Sequence, residues 1–300
     1  MALTAGVNCD PQGPRGRRAR LAGTGDTSPG RMSVLTKISK HVYWMPPGRP
    51  DRPSLCAVVG DRRTLMLDAG SSPAHTRAFL DALSSETAAR PSAVVYTHSH
   101  WDHVFGGAEL GGQVIAQVLT APELIKLAAM DWSDEGLDQR VAAGDASPQH
   151  AEHVKEELPS PRTVEVAPAD IVFQDGLDVE LGGVTVCVRH VGGNHCAESS
   201  VMYVEPDHVL FLGDCMYDSP AGVLTAEVAF PLHAAILGFD AELYVDGHHA
   251  SVLSRPDIEA LIEKMRLADS AVRDGSAVAV PDEDTEYFIQ AFRAGRATLS

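Results

Sequence analysis

Cysteine is scarce and poorly placed for a structural role. The five in 300 residues (Cys9, Cys56, Cys187, Cys196 and Cys215) are odd in number, far apart and never paired as C-x-x-C. That pattern argues against a disulfide framework and a zinc finger, and it makes a reducing cytoplasm the expected compartment. Positive charge is short as well: 24 Lys plus Arg stand against 41 Asp plus Glu, a formal charge of -17. So negative a field repels phosphate backbones and anionic bilayers, so neither nucleic acid nor membrane is an expected partner. Also missing is any run approaching about 18 consecutive apolar residues, the length a membrane span needs. Arg17-Arg18 is followed by Gly, Ser, Thr and Pro rather than an apolar segment, which argues against an export signal. What the chain does have is 44% apolar residues, enough for a sizeable core, and 13 histidines. Histidine is the commonest metal ligand, so where those residues cluster matters.

Residues 1–32 hold five arginines against Asp10 and Asp26 and almost no large apolar side chain, the composition of a disordered tail. Met32 is an alternative start. Residues 33–300 read as one domain with a polar, helix-prone insert at about 121–158. Strands are expected at 42–45, 55–59, 64–67 and 92–97, and again at 171–173, 184–191, 200–204 and 209–212. Gly60-Asp61 and Glu205-Pro206-Asp207 supply hairpin turns, so the strand pattern looks duplicated. Helices are expected at 73–89 and 254–270, the latter capped by Ser254 and carrying Ile258, Leu261, Ile262 and Met265 on one face.

The chemistry concentrates where the fourth strand ends. Tyr96-Thr97-His98-Ser99-His100-Trp101-Asp102-His103 places three histidines and an aspartate within six residues. A strand end fixes the backbone while the following loop stays open to substrate. Later strand ends offer His195 after Gly192-Gly193-Asn194, Asp214 after Gly213, and His248 after Gly247. Glycine beside each candidate permits the tight turns that aim a side chain inward.

With these residues the chain resembles the metallo-β-lactamase superfamily over roughly residues 35–270. His98, His100, Asp102 and His103 match its H-x-H-x-D-H signature, and His195, Asp214 and His248 match its later motifs in order. The resemblance implies an α/β fold, an αββα sandwich of two mixed β-sheets flanked by helices. It assigns His98, His100 and His195 to a first metal, Asp102, His103 and His248 to a second, and Asp214 to a bridge. Asp68 matches an early position that orients the ligand loop. Two positions depart from the pattern. Cys196 follows the third-motif histidine where Thr or Ser is usual, and His249 follows His248 where Gly is usual, which makes His249 a rival ligand.

An all N and O donor set favours zinc, two per chain, with iron or manganese also accommodated. The implied activity is hydrolysis: two cations lower the pKa of a shared water towards about 7, and hydroxide oriented by Asp102 attacks the carbonyl of an ester, thioester, lactone or lactam. A small-molecule acyl substrate is therefore expected. No Lys or Arg lies between Asp214 and His248, where β-lactam-hydrolysing relatives often carry a cation, though Arg49, Arg52 or Arg140 remain candidates for that role. The 52 residues after His248 are too few for the helical domain of glyoxalase II relatives. The competing classes are a β-lactamase proper, a mononuclear iron oxidoreductase of the persulfide-dioxygenase type and a non-catalytic metal-binding scaffold. The pocket walls are expected from residues 46–53, 130–149 and 217–230. Trp132, Tyr217, Leu224 and Phe230 are equally readable as core, and Trp101 as support for the loop.

Overall fold

The strand runs at 42–45, 55–59, 64–67 and 209–213 are buried at nearly every position, because both of their faces are covered. The computed structural model describes residues 35–276, 278 and 281–299. The tail expected at 1–32, with the alternative start at Met32, lies outside them. A seven-stranded sheet holds β1 (Thr36–Lys37), β2 (Val42–Met45), β3 (Leu55–Val59), β4 (Thr64–Leu67), β5 (Ala93–Val95), β6 (Gln113–Gln117) and β7 (Ile171–Phe173) in that spatial order. A second sheet of six runs β13 (Leu253–Ser254), β12 (Leu243–Asp246), β11 (Val209–Gly213), β10 (Ser200–Glu205), β9 (Thr185–His190) and β8 (Gly176–Glu180). Both sheets are mixed. β4 to β7 pair in parallel, as do β11 and β12, while the other pairs are antiparallel.

Period-two alternation sorts the side chains into layers. On β2, Val42 and Trp44 enter the core between the sheets, while Tyr43 and Met45 face the outer core of the first sheet. On β11, Val209 and Phe211 point to the same central layer, while Leu210 and Leu212 join the outer core of the second sheet. Helix α1 (Pro73–Glu86) covers the first sheet with Phe79 and Leu83. On the second sheet, α7 (Ala226–Gly238), α8 (Arg255–Asp274) and α9 (Glu283–Leu299) supply Leu232, Ile236, Ile258, Ile262, Phe288 and Phe292. The result is the αββα sandwich that the resemblance implied.

Between β6 and β7 lie three helices, α4 (Thr120–Ala129), α5 (Asp134–Ala143) and α6 (Pro148–Glu157), in the segment read as an insert. Ser133 and Ser147 cap the last two by accepting from the backbone N–H three residues on. The expected helix at 254–270 continues to Asp274, where Gly275 in the left-handed region ends it. At its other end the N–H and Oγ of Ser254 both donate to Asp257. The elements β6, β8, β12, α7 and α9 were not expected from the sequence, while α4, α5 and α6 fall in the expected helical insert.

The direction of the strands decides where chemistry can sit. β4 and β5 are parallel, β11 and β12 are parallel, and β9 runs with β11, since both oppose β10. The C-terminal ends of β4 and β5 thus share one edge of their sheet, and those of β9, β11 and β12 share one edge of the other. Two backbone bonds join these edges: Ser200 N–H to Thr97 O at 2.8 Å and Ser54 N–H to Gly247 O at 2.6 Å.

A further tie between the sheets lies in their turns. The Asp207 carboxylate, between β10 and β11, accepts from Ser39 Oγ, from His41 N–H at 2.7 Å and from His41 Nδ1 at 2.7 Å. Burial raises the Asp207 pKa, but the bonds from Ser39 and His41 outweigh it and leave the group below its ordinary 3.8. A carboxylate with a depressed folded pKa stabilises the fold above its unfolded value and loses that contribution as pH falls through the folded one. Asp207→Asn is therefore expected to cost about 1–3 kcal/mol in chemical denaturation at pH 7. Below the ordinary pKa the gap between the two proteins should close; an equal gap at every pH would show that the charge is not what matters.

Candidate metal centre

Five strand ends deliver the candidate residues to the joined edges. Asp68 follows β4, His98 and His100 follow β5, His195 follows β9, Asp214 follows β11, and His248 follows β12. Asp102 and His103 ride on α2 (Trp101–Val104), a single turn that immediately follows His100. Two glycines allow the close packing. A Cβ on Gly213, whose φ is +53°, would fall 2.6 Å from Thr97 Oγ1, and one on Gly247 would fall 2.0 Å from Asp214 Oδ1. At both positions only glycine fits without displacing residues of the centre.

The seven residues singled out by sequence come together in two adjoining groups. His98, His100 and His195 form one, with Cys196 beside them, and Asp102, His103, Asp214 and His248 form the other. In the first, His195 Nε2 lies 2.9 Å from His100 Nδ1. In the second, His248 Nε2 is 3.1 Å from Asp102 Oδ2, and His103 Nε2 is 3.5 Å from the same oxygen. Asp214 stands between the groups: Oδ2 is 3.6 Å from His195 Nε2 and 3.4 Å from His248 Nε2, and Oδ1 is 3.5 Å from His103 Nε2. The ring of His249 instead turns away to Ser251, with Nδ1 2.8 Å from its carbonyl oxygen, and belongs to neither group.

The opposite nitrogen of each ring shows which one is available to a cation. Thr97 Oγ1 donates to Asp68 Oδ2 at 2.8 Å and so accepts from His98 Nδ1 at 2.9 Å. His103 Nδ1 donates to the same Asp68 oxygen at 2.8 Å. His195 Nδ1 donates to the Asp218 carbonyl at 3.0 Å. A carbonyl or carboxylate only accepts, so each of these Nδ1 atoms carries a proton and each Nε2 is the atom turned inward, with a lone pair wherever the ring is neutral. His100 is reversed: its Nδ1 faces the centre and its Nε2 lies 3.3 Å from Cys196 Sγ. The thiol therefore lies behind the His100 ring.

Three buried atoms test whether cations fit here. His98 Nε2, His103 Nε2 and Asp214 Oδ1 have no hydrogen-bond partner among the described residues. Leaving a buried polar atom unsatisfied costs about 1–3 kcal/mol, so three converging on one place mark a position built for something else. Electrostatics agree. Burial, reinforced by the neighbouring imidazoles of His103, His100 and His195, pushes the His98 pKa well below its ordinary value, so the ring is neutral. Burial acts the same way on His103, but the carboxylates of Asp102, Asp214 and Asp68 outweigh it and hold the group well above its ordinary pKa. Burial would raise Asp214, yet His248 and His103 hold it well below the ordinary carboxylate range. A cluster that draws positive charge towards His103 while keeping His98 neutral and Asp214 ionised suits divalent cations.

Among the other contributors, Asp246, Glu198 and Asp51 gave no signal in the sequence. Asp246 accepts from the N–H of His248 and of His249, both at 2.9 Å, and from the Tyr217 hydroxyl, which fixes the last loop. The Tyr217 ring lies 6.2 Å from that of His195 and 6.4 Å from that of His248, so it walls both groups. Glu198, buried, accepts from Ser99 Oγ at 2.7 Å and joins the first and third loops. Asp51, on the 46–53 segment, has Oδ1 3.8 Å from His248 Nδ1 and Oδ2 3.2 Å from His153 Nδ1 on α6. Trp101 is buried edge-on against Phe105 and His150 and supports the loop, while Trp132 and Leu224 are core.

This fold, with such a cluster at the joined sheet edges, is a hydrolase-like scaffold carrying residues that could hold metal ions. The model of the metallo-β-lactamase superfamily matches residues 49–262, and the chain belongs to that family. Among its relatives is a 2,4-dinitroanisole O-demethylase subunit alpha from Nocardioides sp. strain JS1661, 25% identical over 69% of this chain and 55% of its own length. Another is a hydroxyacylglutathione hydrolase from Methylobacterium sp. strain 4-46, 25% identical over 61% of this chain and 60% of the relative. The chain thus spans less than two thirds of either. Among solved structures, the sec-alkylsulfatase Pisa1 from Pseudomonas sp. shares the fold at a TM-score of 0.62 and 15% identity, over 85% of this chain and 47% of the other. A metallo-β-lactamase family protein from Thermus thermophilus does so at 0.56 and 17%, over 77% and 81%. No helix among the described residues is long and apolar enough to cross a membrane.

Because Asp68 sets the tautomer of two rings, Asp68→Asn should weaken metal binding by about 10–100-fold in a chelator competition, the usual loss for an outer partner of a ligand. Cys196→Ser keeps a polar partner for His100 and should change affinity by less than about tenfold. If Asp68→Asn binds metal as tightly as the parent protein, the tautomer assignment is wrong.

Proposed function

We propose that this chain is a dinuclear metal-dependent hydrolase of small acyl substrates. The observation that carries the reading is the placement of Asp214 between two donor groups whose ring nitrogens face the same small volume. His98, His100 and His195 would hold the first cation, Asp102, His103 and His248 the second, and Asp214 would bridge them. Zinc suits these donors, with iron or manganese as alternatives. Two such cations supply Lewis acidity and a water whose pKa falls to about 7.

The chain's own residues do the remaining work. Asp102, buried on a one-turn helix and 3.1 Å from His248, has a carboxylate placed to accept a proton from water and orient its lone pair. The Thr97 hydroxyl, Asp68 and the Asp218 carbonyl fix the planes of the His98, His103 and His195 rings and turn each Nε2 inward, where a cation would occupy the lone pair. Tyr217 is half-buried beside both groups and shields one side of the centre from water. Esters, thioesters, lactones and lactams are the acyl substrates this chemistry would serve. The Nocardioides relative, named for an O-demethylation, adds an activated aryl methyl ether as a second substrate class.

Mass spectrometry of metal-loaded protein is expected to give about two metals per chain. The loaded protein should turn over at least one of a thioester, a lactone, an aryl ester, a chromogenic cephalosporin or an activated aryl methyl ether. His98→Ala and Asp102→Ala should each lower kcat by at least about 100-fold, the scale of a lost general base or electrophilic group, while leaving the circular dichroism spectrum intact. A single tightly held iron with oxygen uptake would replace this reading with an oxidoreductase, and full loading without turnover of any member of the panel would count against it.

A further inference from the structure

We propose that the C-terminal helix α9 is part of the first metal site, with Tyr287 as a positioning residue that acts through Asp218 on His195. The proposal rests on the assignment of His195 to that site. His195 Nδ1 donates to the Asp218 carbonyl at 3.0 Å, and this bond fixes both the tautomer and the plane of the ring. Asp218 lies in the irregular segment between β11 and α7, so its carbonyl is only as well placed as that segment. Besides the bond from the Tyr217 hydroxyl to Asp246, three further anchors hold the segment from outside its own turn. Asn194 Oδ1 accepts from Thr225 N–H and Oγ1, both at 3.0 Å. The other two come from α9: the Tyr287 hydroxyl donates to Asp218 Oδ2 at 2.6 Å, and Leu224 N–H donates to Ala291 O at 3.1 Å.

The approach of the helix is made possible by Gly295, where a Cβ would fall 2.0 Å from Leu224 O. Phe288 and Phe292 on the same helix already bury its apolar face in the outer core of the second sheet. Docking is thus provided without the Tyr287 hydroxyl, which instead makes a short charge-assisted bond to the residue whose carbonyl meets His195. The bond spans 69 positions of sequence and links the centre to a helix beyond the segment matched by the family model, which ends at 262. Losing the hydroxyl removes one bond from the Asp218 side chain, loosens its carbonyl and lets the His195 ring rotate.

Tyr287→Phe removes that oxygen and nothing else. In the metal-free protein, nitrogen-15 NMR should show a hydrogen-bonded His195 Nδ1–H resonance in the parent that broadens or disappears in Tyr287→Phe. Titration with cobalt(II) against a competing chelator, followed by the visible spectrum, should show the first cation weakened by about tenfold and the second within about twofold. The melting temperature should fall by no more than a few degrees. Asp218→Asn keeps an oxygen for Tyr287 and should retain the parent's resonance and affinities, whereas Asp218→Ala should reproduce Tyr287→Phe. The proposal is overturned if the resonance is unchanged in Tyr287→Phe, or if both cations weaken equally together with a large loss of thermal stability. If the parent itself takes up no cobalt, the metal reading fails while the resonance still decides whether Tyr287 positions His195.

Discussion

A fully buried carboxylate, Asp68, ties the first sheet to the centre. It leaves the end of β4 with φ at +55°, a conformation L residues rarely adopt, and turns its side chain under the loop that follows β5. One oxygen accepts from Thr97 N–H at 2.7 Å, while the other takes both Thr97 Oγ1 and His103 Nδ1. Through Thr97 the same carboxylate reaches His98. Two rings of different donor groups therefore have their inward lone pairs set by one anion. The strain of an αL aspartate, of the order of 1–3 kcal/mol, persists because three hydrogen bonds hold the residue in that conformation.

The second sheet supplies its residues by a different device. Between Phe211 and Gly213 the β11–β12 register slips, and the chain passes Thr97 so closely that only glycine fits there. The slip aims Asp214 across to the first sheet. Gly247 then lets the β12 loop pass over the Asp214 carboxylate, and Asp246 anchors that loop by accepting from the N–H groups of His248 and His249. Backbone irregularity here accompanies convergence: straight exits from five strands would leave the side chains too far apart to share a bridge.

How much of this was legible in the sequence depends on range. The strands from Val42 to Leu67 and from Ser200 to Leu212 were readable because burial on both faces leaves unbroken apolar runs bounded by turn residues. β8 was not, since Gly-Leu-Asp-Val-Glu lies at a sheet edge with one side in solvent. α7 was missed because Ala, Phe, Leu and Ile surround it on all sides and Pro231 interrupts it, which erases the 3.6-residue period. The seven donors were visible because each sits beside a strand end or a glycine. Their partners were not. The Asp218 carbonyl is a backbone group that any residue would supply, and Asp246, Glu198 and Tyr287 become meaningful only once distant loops meet.

The two donor groups are held by different physics. Around the second, Asp102 and Asp214 face the cavity, Asp68 backs His103 and Asp51 lies 3.8 Å from His248, so four carboxylates draw positive charge inward. Around the first, three imidazoles are backed by a hydroxyl, a thiol and a peptide carbonyl, and it is Asp214 that brings charge to them. Coulombic attraction falls off gradually with distance, so the second group tolerates small displacements of its residues. An imidazole nitrogen binds a cation only along its lone pair, so a cation held by the first group would depend on how the three rings are oriented. That asymmetry gives the outer bonds of His98, His100 and His195 more weight than those of the carboxylates. It also places the greatest demand for rigidity on the irregular segment after β11, where the carbonyl that backs His195 is found.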